Sequence, residues 1–360
     1  MAKELSDLAT PYVAVDLDIL DKNVGAMAAV ARDLGIGLRP HAKTHKCHEI
    51  AARQLAAGAV GLTVATVSEA EAFVAGGASD VFIAYPLWVD RARGARLLSL
   101  MAQCSLRVGV DSVEGARALA TNIRGGQGEL EVLVEVDSGH HRTGVCPEAA
   151  GELARAATEA GLRVRGAFTF PGHGYGPGRA GHAAVDEADA LCRAAASLND
   201  AGLKAFVLSG GSTPTAALTD TETLTEMRPG SYVFNDAQQL EMGSCALGDV
   251  ALSVVATVVS RAPGRIVLDA GSKVLGADRP AWASGHGWLL DYPQARLSEL
   301  SEHHGTVTWP GLLAQPELGT VLRVVPNHVC STVNLADELV VLHEGAVVDR
   351  WCVAARGANT

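Results

Sequence analysis

Short apolar runs recur along the first two thirds of the chain. They alternate with stretches in which apolar residues fall three and four apart. The runs are Ile36–Arg39, Val60–Val64, Val81–Tyr85, Leu106–Val110, Leu130–Val136, Leu162–Thr169, Ala205–Ser209 and Ser231–Phe234. Helical spacing shows in Lys46–Leu55, Ser68–Ala75, Val113–Thr121 and Ala149–Ala160. Eight strands, each followed by a helix-like stretch, predict a (β/α)8 barrel; a doubly wound sheet reads similarly, but eight units favour closure. Beyond about residue 240 the texture changes. Ala251–Val259, Arg265–Asp269, Thr320–Val325, Glu338–His343 and Ala346–Trp351 are Val-rich and separated by Gly, Pro and Asp turns, which predicts a mostly antiparallel β-domain. The expected division is a barrel over residues 17–240 and a β-domain over 241–360. Residues 1–16, with the strand candidate Tyr12–Asp16, are expected to pair with the β-domain.

Composition narrows the function classes. The 360 residues carry 29 Lys+Arg against 40 Asp+Glu, a net charge of −11, which argues against a nucleic-acid partner because phosphate binding calls for a basic face. No apolar run reaches the length of a membrane span, and the N-terminal MAKELSDLATPY has no apolar core of a signal peptide. The seven cysteines (Cys47, Cys104, Cys146, Cys192, Cys245, Cys330, Cys352) are odd in number, with no CxxC, as expected of reduced thiols in a cytoplasmic protein.

In a barrel of this kind chemistry belongs at the C-terminal strand ends. The first predicted strand runs into Arg39-Pro40-His41-Ala42-Lys43-Thr44-His45-Lys46, a denser polar cluster than a solvated strand end requires. A lysine sheltered from water there is an amine nucleophile, and composition does not choose between Lys43 and Lys46. Two glycine turns, Gly210-Gly211-Ser212 after the seventh strand and Gly230-Ser231-Tyr232 leading into the eighth, offer the backbone amides and hydroxyls that a phosphate needs. Together, opposite a strand-end lysine, they suggest a phosphorylated aldehyde cofactor. Arg142, after the fifth strand, could face that cofactor or a substrate carboxylate; an exposed loop arginine is the plain alternative. Near the C-terminus, His328 and Cys330 stand two apart, which on extended chain points both to one side and makes half of a zinc site. The Glu302-His303-His304 cluster reads as surface.

These residues, in order, resemble a known family. The entry segment Thr10–Asp18 with Asn23, the Arg39–Lys46 block, Glu135–Asp137 with Arg142, Gly210-Gly211, Gly230-Ser231-Tyr232, Asp269-Ala270-Gly271 and His328-x-Cys330 are similar to the D-threonine aldolase / D-serine dehydratase family. Its members are pyridoxal-phosphate (PLP) enzymes of fold type III, relatives of alanine racemase. The resemblance implies an alanine-racemase-like barrel and β-domain, a homodimer, and Lys43 holding PLP as a Schiff base. It implies a phosphate seat at Gly210, Gly211, Ser212, Gly230, Ser231 and Tyr232, and a divalent metal on His328 and Cys330, with zinc favoured over manganese or magnesium. His173 or Tyr175 could face the pyridine ring. Cys330, where the aldolases more often carry Asp, leans toward a D-serine dehydratase-type elimination; D-threonine aldolase-type cleavage to glycine and an aldehyde is the alternative. An amino-acid racemase is disfavoured, since the only tyrosine after residue 245 is Tyr292, in an Asp-Tyr-Pro turn.

Overall fold

The computed structural model describes residues 8–360, which form two compact units. One comprises Met27–Lys43, Ala51–Gly230 and Ala358–Thr360; the other comprises the segment up to Ala26, Thr44–Ile50 and Ser231–Gly357. The chain opens with β1 (Tyr12–Asp16) and α1 (Leu17–Leu34).

The barrel unit contains eight parallel strands: β2 (Gly37–Leu38), β3 (Leu62–Val64), β4 (Asp80–Pro86), β5 (Ser105–Val110), β6 (Leu130–Glu135), β7 (Arg163–Phe168), β8 (Val207–Gly210) and β9 (Glu226–Met227). They alternate with α2 (His48–Ala56), α3 (Val67–Ala75), α4 (Arg91–Met101), α5 (Val113–Asn122), α6 (Ala150–Glu159) and α7 (Ala180–Asp200). The ladder runs β2-β9-β8-β7-β6-β5-β4-β3. Its two ends join where Val60 N–H donates to Leu38 O and Thr63 N–H to Pro40 O, both at 2.8 Å, beside a parallel His41–Thr63 bridge. Helix starts are fixed locally: Thr66, Asp90 and Ser112 accept the backbone N–H of Glu69, Arg93 and Gly115 and so cap α3, α4 and α5.

Inside the barrel Phe82, Leu133 and Phe168 form one buried layer, with the two rings edge to face at 5.0 Å. Nearer the N-terminal strand ends lies a charged layer. Arg39 Nε donates to Glu226 Oε2 at 2.7 Å and its Nη1 to Asp80 Oδ1 at 2.5 Å, while Arg107 donates to Glu131 at 2.8 Å. This end of such a barrel serves stability.

The eighth strand differs from the expectation. It is Glu226–Met227, and Ser231–Phe234 opens with a 3₁₀ turn instead, so Gly230-Ser231-Tyr232 follows the last strand rather than leading into it. The apolar Tyr-Val-Phe run is buried by the turn itself, whose Ser231 O accepts the N–H groups of Phe234 and Asn235.

In the second unit α8 (Ala237–Met242) precedes β10 (Leu252–Ala262), β11 (Arg265–Leu268), α9 (Ser272–Leu275), β12 (Gly287–Leu289), β13 (Arg296–Leu300), β14 (Gly305–Thr308), β15 (Val321–Pro326), α10 (Val329–Leu335), β16 (Glu338–His343) and β17 (Ala346–Cys352). The pairings β10-β11-β14-β13-β12-β15-β10 return to their start, a closed six-strand antiparallel barrel. β1 lies between β10 and β16, with Ala14 opposite Ser253 (antiparallel) and opposite Val340 (parallel). Residues 1–7 of the segment expected to pair here lie outside the described residues. Among the described residues no helix is long and apolar enough to cross a membrane.

Candidate active site

The C-terminal strand ends of the barrel gather a set of cations. Lys43 lies in the 3₁₀ turn Ala42–Thr44 after β2, with its Nζ 6.0 Å from the centroid of the Phe170 ring. Arg142, in the exposed loop after β6, has its guanidinium 5.2 Å from the same ring. Arg228, just past β9, is buried; it donates to Ser209 Oγ at 2.6 Å and Thr169 O at 2.5 Å and lies 5.4 Å from the Phe168 ring. His41 responds to this company: burial first, then Lys43, Arg228 and Arg142, push its imidazole well below the usual range, toward the neutral form. Its Nδ1 is buried without a hydrogen-bond partner.

Lys43 and Lys46 are separated by their surroundings. Lys46 is buried, in left-handed backbone (φ 52°), and its Nζ donates to Asn334 Oδ1 at 2.7 Å. Its ammonium is committed to that contact.

Glu135, the last residue of β6, is buried; its Oε1 accepts from Thr143 Oγ1 at 2.9 Å and its Oε2 has no partner. Burial pushes this carboxyl up to about 6, against the pull of Thr143 and Arg142. Beside it a polar void of about 10 Å³, room for one water, is lined by Asp137, His140, Arg142, Thr169 and Phe170. His173 Nε2 and Asp186 Oδ2 are 3.0 Å apart, and Tyr175 packs its ring at 6.0 Å from Phe170.

The glycine turn after β8 has the shape a phosphate seat needs, yet part of its amide supply is used internally. Gly211 is left-handed (φ 78°), and a Cβ there would come within 2.8 Å of Met227 Cβ. Its N–H donates to Glu187 Oε1 at 2.5 Å, and Ser212 N–H donates to Thr215 Oγ1 at 2.9 Å. Gly230 is the last residue of the Ala51–Gly230 segment of the barrel unit; Ser231 and Tyr232 are buried in the 3₁₀ turn that opens the Ser231–Gly357 segment.

His328 and Cys330 do not share the extended chain that their spacing suggested. His328 is the N-cap of α10 and Cys330 lies in its first turn. The two side chains nevertheless hydrogen bond to each other, because a first helical turn folds the chain back toward its cap. His328 Nδ1 pairs with Asp278 Oδ2 at 2.8 Å, and Asp278 also accepts from Ser331 Oγ at 2.7 Å. Burial disfavours the imidazolium, but Cys330 and Asp278 outweigh it and hold His328 up to about 11. Asp236, fully buried, accepts Gln239 N–H at 3.0 Å and Val329 N–H at 3.1 Å, which fixes the starts of α8 and α10. Cys330 Sγ lies 3.3 Å from Thr44 Oγ1. Among the described residues no group of three or more His, Cys, Asp and Glu is arranged for a metal; the pair offers two donors, an imidazole Nε2 oriented by a carboxylate on Nδ1 and a thiolate. Tyr292 packs edge to face on Trp309 at 4.9 Å, an apolar role.

Sequence reasoning missed Asp278, Glu187 and Asp236. Asp236 has a local signal, an Asp ahead of a helix-forming run; the other two act across long separations and leave none.

Comparison with known proteins identifies the family. Residues 15–238 match the family of alanine racemase N-terminal domains, and residues 251–342 a putative serine dehydratase domain. The chain is 37% identical to D-threo-3-hydroxyaspartate dehydratase of Delftia sp. (strain HT23) over 92% of its own length and 93% of that protein's. It is 36% identical to D-threonine aldolase of Arthrobacter sp. over 98% and 94%. A solved structure of D-threo-3-hydroxyaspartate dehydratase, a cysteine-to-alanine mutant in the metal-free form, superposes with a TM-score of 0.89 at 34% identity, covering 97% of this chain and 98% of that one. The chain belongs to the alanine-racemase-like, fold-type III family of PLP enzymes, and within it to the D-amino-acid lyases.

Proposed function

We propose that this lyase removes water and then ammonia from D-3-hydroxy amino acids by β-elimination, with PLP on Lys43 and a divalent metal on His328 and Cys330. The observation that carries the reading is the His328–Cys330 pair, with Asp278 on the outer nitrogen of the histidine. Thiolate and imidazole suit a borderline-soft ion, so zinc is the favoured metal. The same reading takes the enzyme as a homodimer built from a PLP-binding barrel (residues 17–240) and a β-domain (241–360). It places the enzyme in the cytoplasm, where its seven free thiols stay reduced.

When bound, PLP supplies an electron sink for charge developing at the substrate Cα, and the metal a Lewis acid for the β-hydroxyl. The residues of this chain do the rest. Lys43 fits the aldehyde because the neighbour of its amine is an aromatic face, whereas Lys46 is bound to Asn334. With its amine free, Lys43 would take and hold the Cα proton. Arg142 and Arg228, with a neutral His41 between burial and cations, favour an anionic ligand at these strand ends. Asp278 occupies Nδ1 of His328, so that Nε2 is the nitrogen left to hold a metal.

Retro-aldol cleavage needs the same groups and differs in which bond is aligned with the ring, so substrates decide. Pure enzyme incubated with D-serine, D-threonine and D-threo-3-hydroxyaspartate should give ammonia and keto acid in equal amounts. Glycine and acetaldehyde from D-threonine without ammonia would overturn elimination. Turnover of L-isomers alone would overturn the D-amino-acid reading.

A further inference from the structure

α7 carries one carboxylate into the barrel wall. Glu187 is 1% exposed, its Oε1 accepts the Gly211 N–H at 2.5 Å, and its Oε2 has no hydrogen-bond partner. The preceding residue of the turn sits so close that a Cβ on Gly210 would collide with the same carboxylate. The glycine turn therefore rests directly on Glu187. Among the described residues, Arg228 is the one charged group that acts on it, and Arg228 is already bonded to Ser209 and Thr169. Burial, opposed by the Gly211 amide and Arg228, pushes the carboxyl up to about 7.

We propose that Glu187 is a proton acceptor coupled to cofactor loading: a phosphate dianion seated at the Gly210–Ser212 turn leaves Glu187 protonated, with the proton drawn from solvent. Two like charges across one turn, in surroundings that exclude water, cannot both remain ionised at low cost, and the carboxylate is the partner that can neutralise. The balance is one O–H bond formed on Glu187 for each cofactor bound. The neutral acid keeps a carbonyl oxygen for the Gly211 N–H and turns the unpartnered oxygen into a hydroxyl donor. Glu187 is thus a positioning residue, acting on the phosphate through the turn.

The inference rests on the phosphate reading of that turn, and the experiment separates the two. Apoenzyme is titrated with PLP at pH 8 by calorimetry in two buffers of different ionisation enthalpy, which counts protons. At that pH the phosphate is dianionic and Glu187 mostly ionised. Wild type should take up about one proton more per cofactor than Glu187→Gln, whose amide oxygen still accepts from Gly211. In parallel, Ser212→Asp should weaken PLP binding at least tenfold. Equal proton counts together with a weakened Ser212→Asp overturn the coupling alone. Unchanged affinity in Ser212→Asp overturns the phosphate reading, and the coupling with it. Should Glu187→Gln not fold, wild type suffices: its Kd for PLP should rise about tenfold between pH 8 and 9, and a flat Kd over that interval overturns the proposal.

Discussion

Replacing Arg39 by Met tests what closes the barrel. The Arg39 and Glu226 side chains are 4% and 8% exposed and bonded at 2.7 Å, whereas Asp80, the other partner of Arg39, is 35% exposed and can turn to water. Loss of Arg39 leaves Glu226 buried with Ser209 Oγ at 2.7 Å and Arg107 at 3.7 Å. Breaking one side of a buried pair costs about 3–5 kcal/mol, while replacing both partners by apolar groups is often close to neutral. Urea unfolding followed by circular dichroism should therefore show Arg39→Met destabilised by about that amount. The double variant Arg39→Met/Glu226→Met should cost less than the sum of the singles by about 2 kcal/mol. The pH dependence gives a second handle. In the wild type burial pushes Glu226 up, but Arg39 and Arg107 outweigh it and hold the carboxyl below its ordinary value. That stabilisation is present above the ordinary carboxylate range and is lost as pH falls through the lowered value. Without Arg39 burial dominates, the carboxyl rises, and the variant gains relative stability as pH falls. Its penalty should be smaller at pH 5 than at pH 8. Additivity within about 0.5 kcal/mol, or a penalty independent of pH, would refute the reasoning.

Two further outcomes are expected at the site. Lys43→Ala should abolish the yellow lysine-bound chromophore and turnover while Lys46→Ala keeps the chromophore, and borohydride reduction with peptide mapping places the attachment on one or the other. Asp278→Asn should lower the affinity for a divalent metal about 10–100-fold in chelator competition, with the PLP spectrum unchanged, because the carboxylate fixes the His328 ring rather than the cofactor.

The barrel was legible because seven of its strands are apolar enough to show as runs, and because parallel strands are buried on both faces. The eighth was not. Glu226-Met227 is two residues long and half charged, and Glu226 is buried only by virtue of Arg39, far away in sequence. The apolar run chosen in its place, Ser231–Phe234, is buried as a 3₁₀ turn, a distinction that hydrophobicity does not carry. In the β-domain, β12 to β14 went unseen since Arg296-Leu-Ser-Glu-Leu and Gly305-Thr-Val-Thr are short and polar on one side, as ring strands facing solvent can be. His328 and Cys330 were found by spacing, but through the wrong geometry: the pair closes across a helix start, not along a strand. Glu187, Glu135 and Asp278 illustrate the general limit. Each is a carboxylate whose role is set by what surrounds it in space, and sequence shows only that it is acidic.

The placement of β1 has a consequence for how the chain is made. It is made before every other described strand, yet its neighbours are β10 and β16, and Ala14 waits for Val340 before its second edge is covered. At ordinary rates of synthesis, about 5–20 residues per second, that wait lasts roughly 15–65 s. Until β10 is made a strand of sequence Tyr-Val-Ala-Val-Asp stands without its sheet, and until β16 it keeps one open edge, of the kind that invites pairing with another chain. Nascent chains are thus most exposed to misassembly early, and a truncation that removes only the last fifteen residues spares β16 while one that stops before it leaves β1 with one side bare.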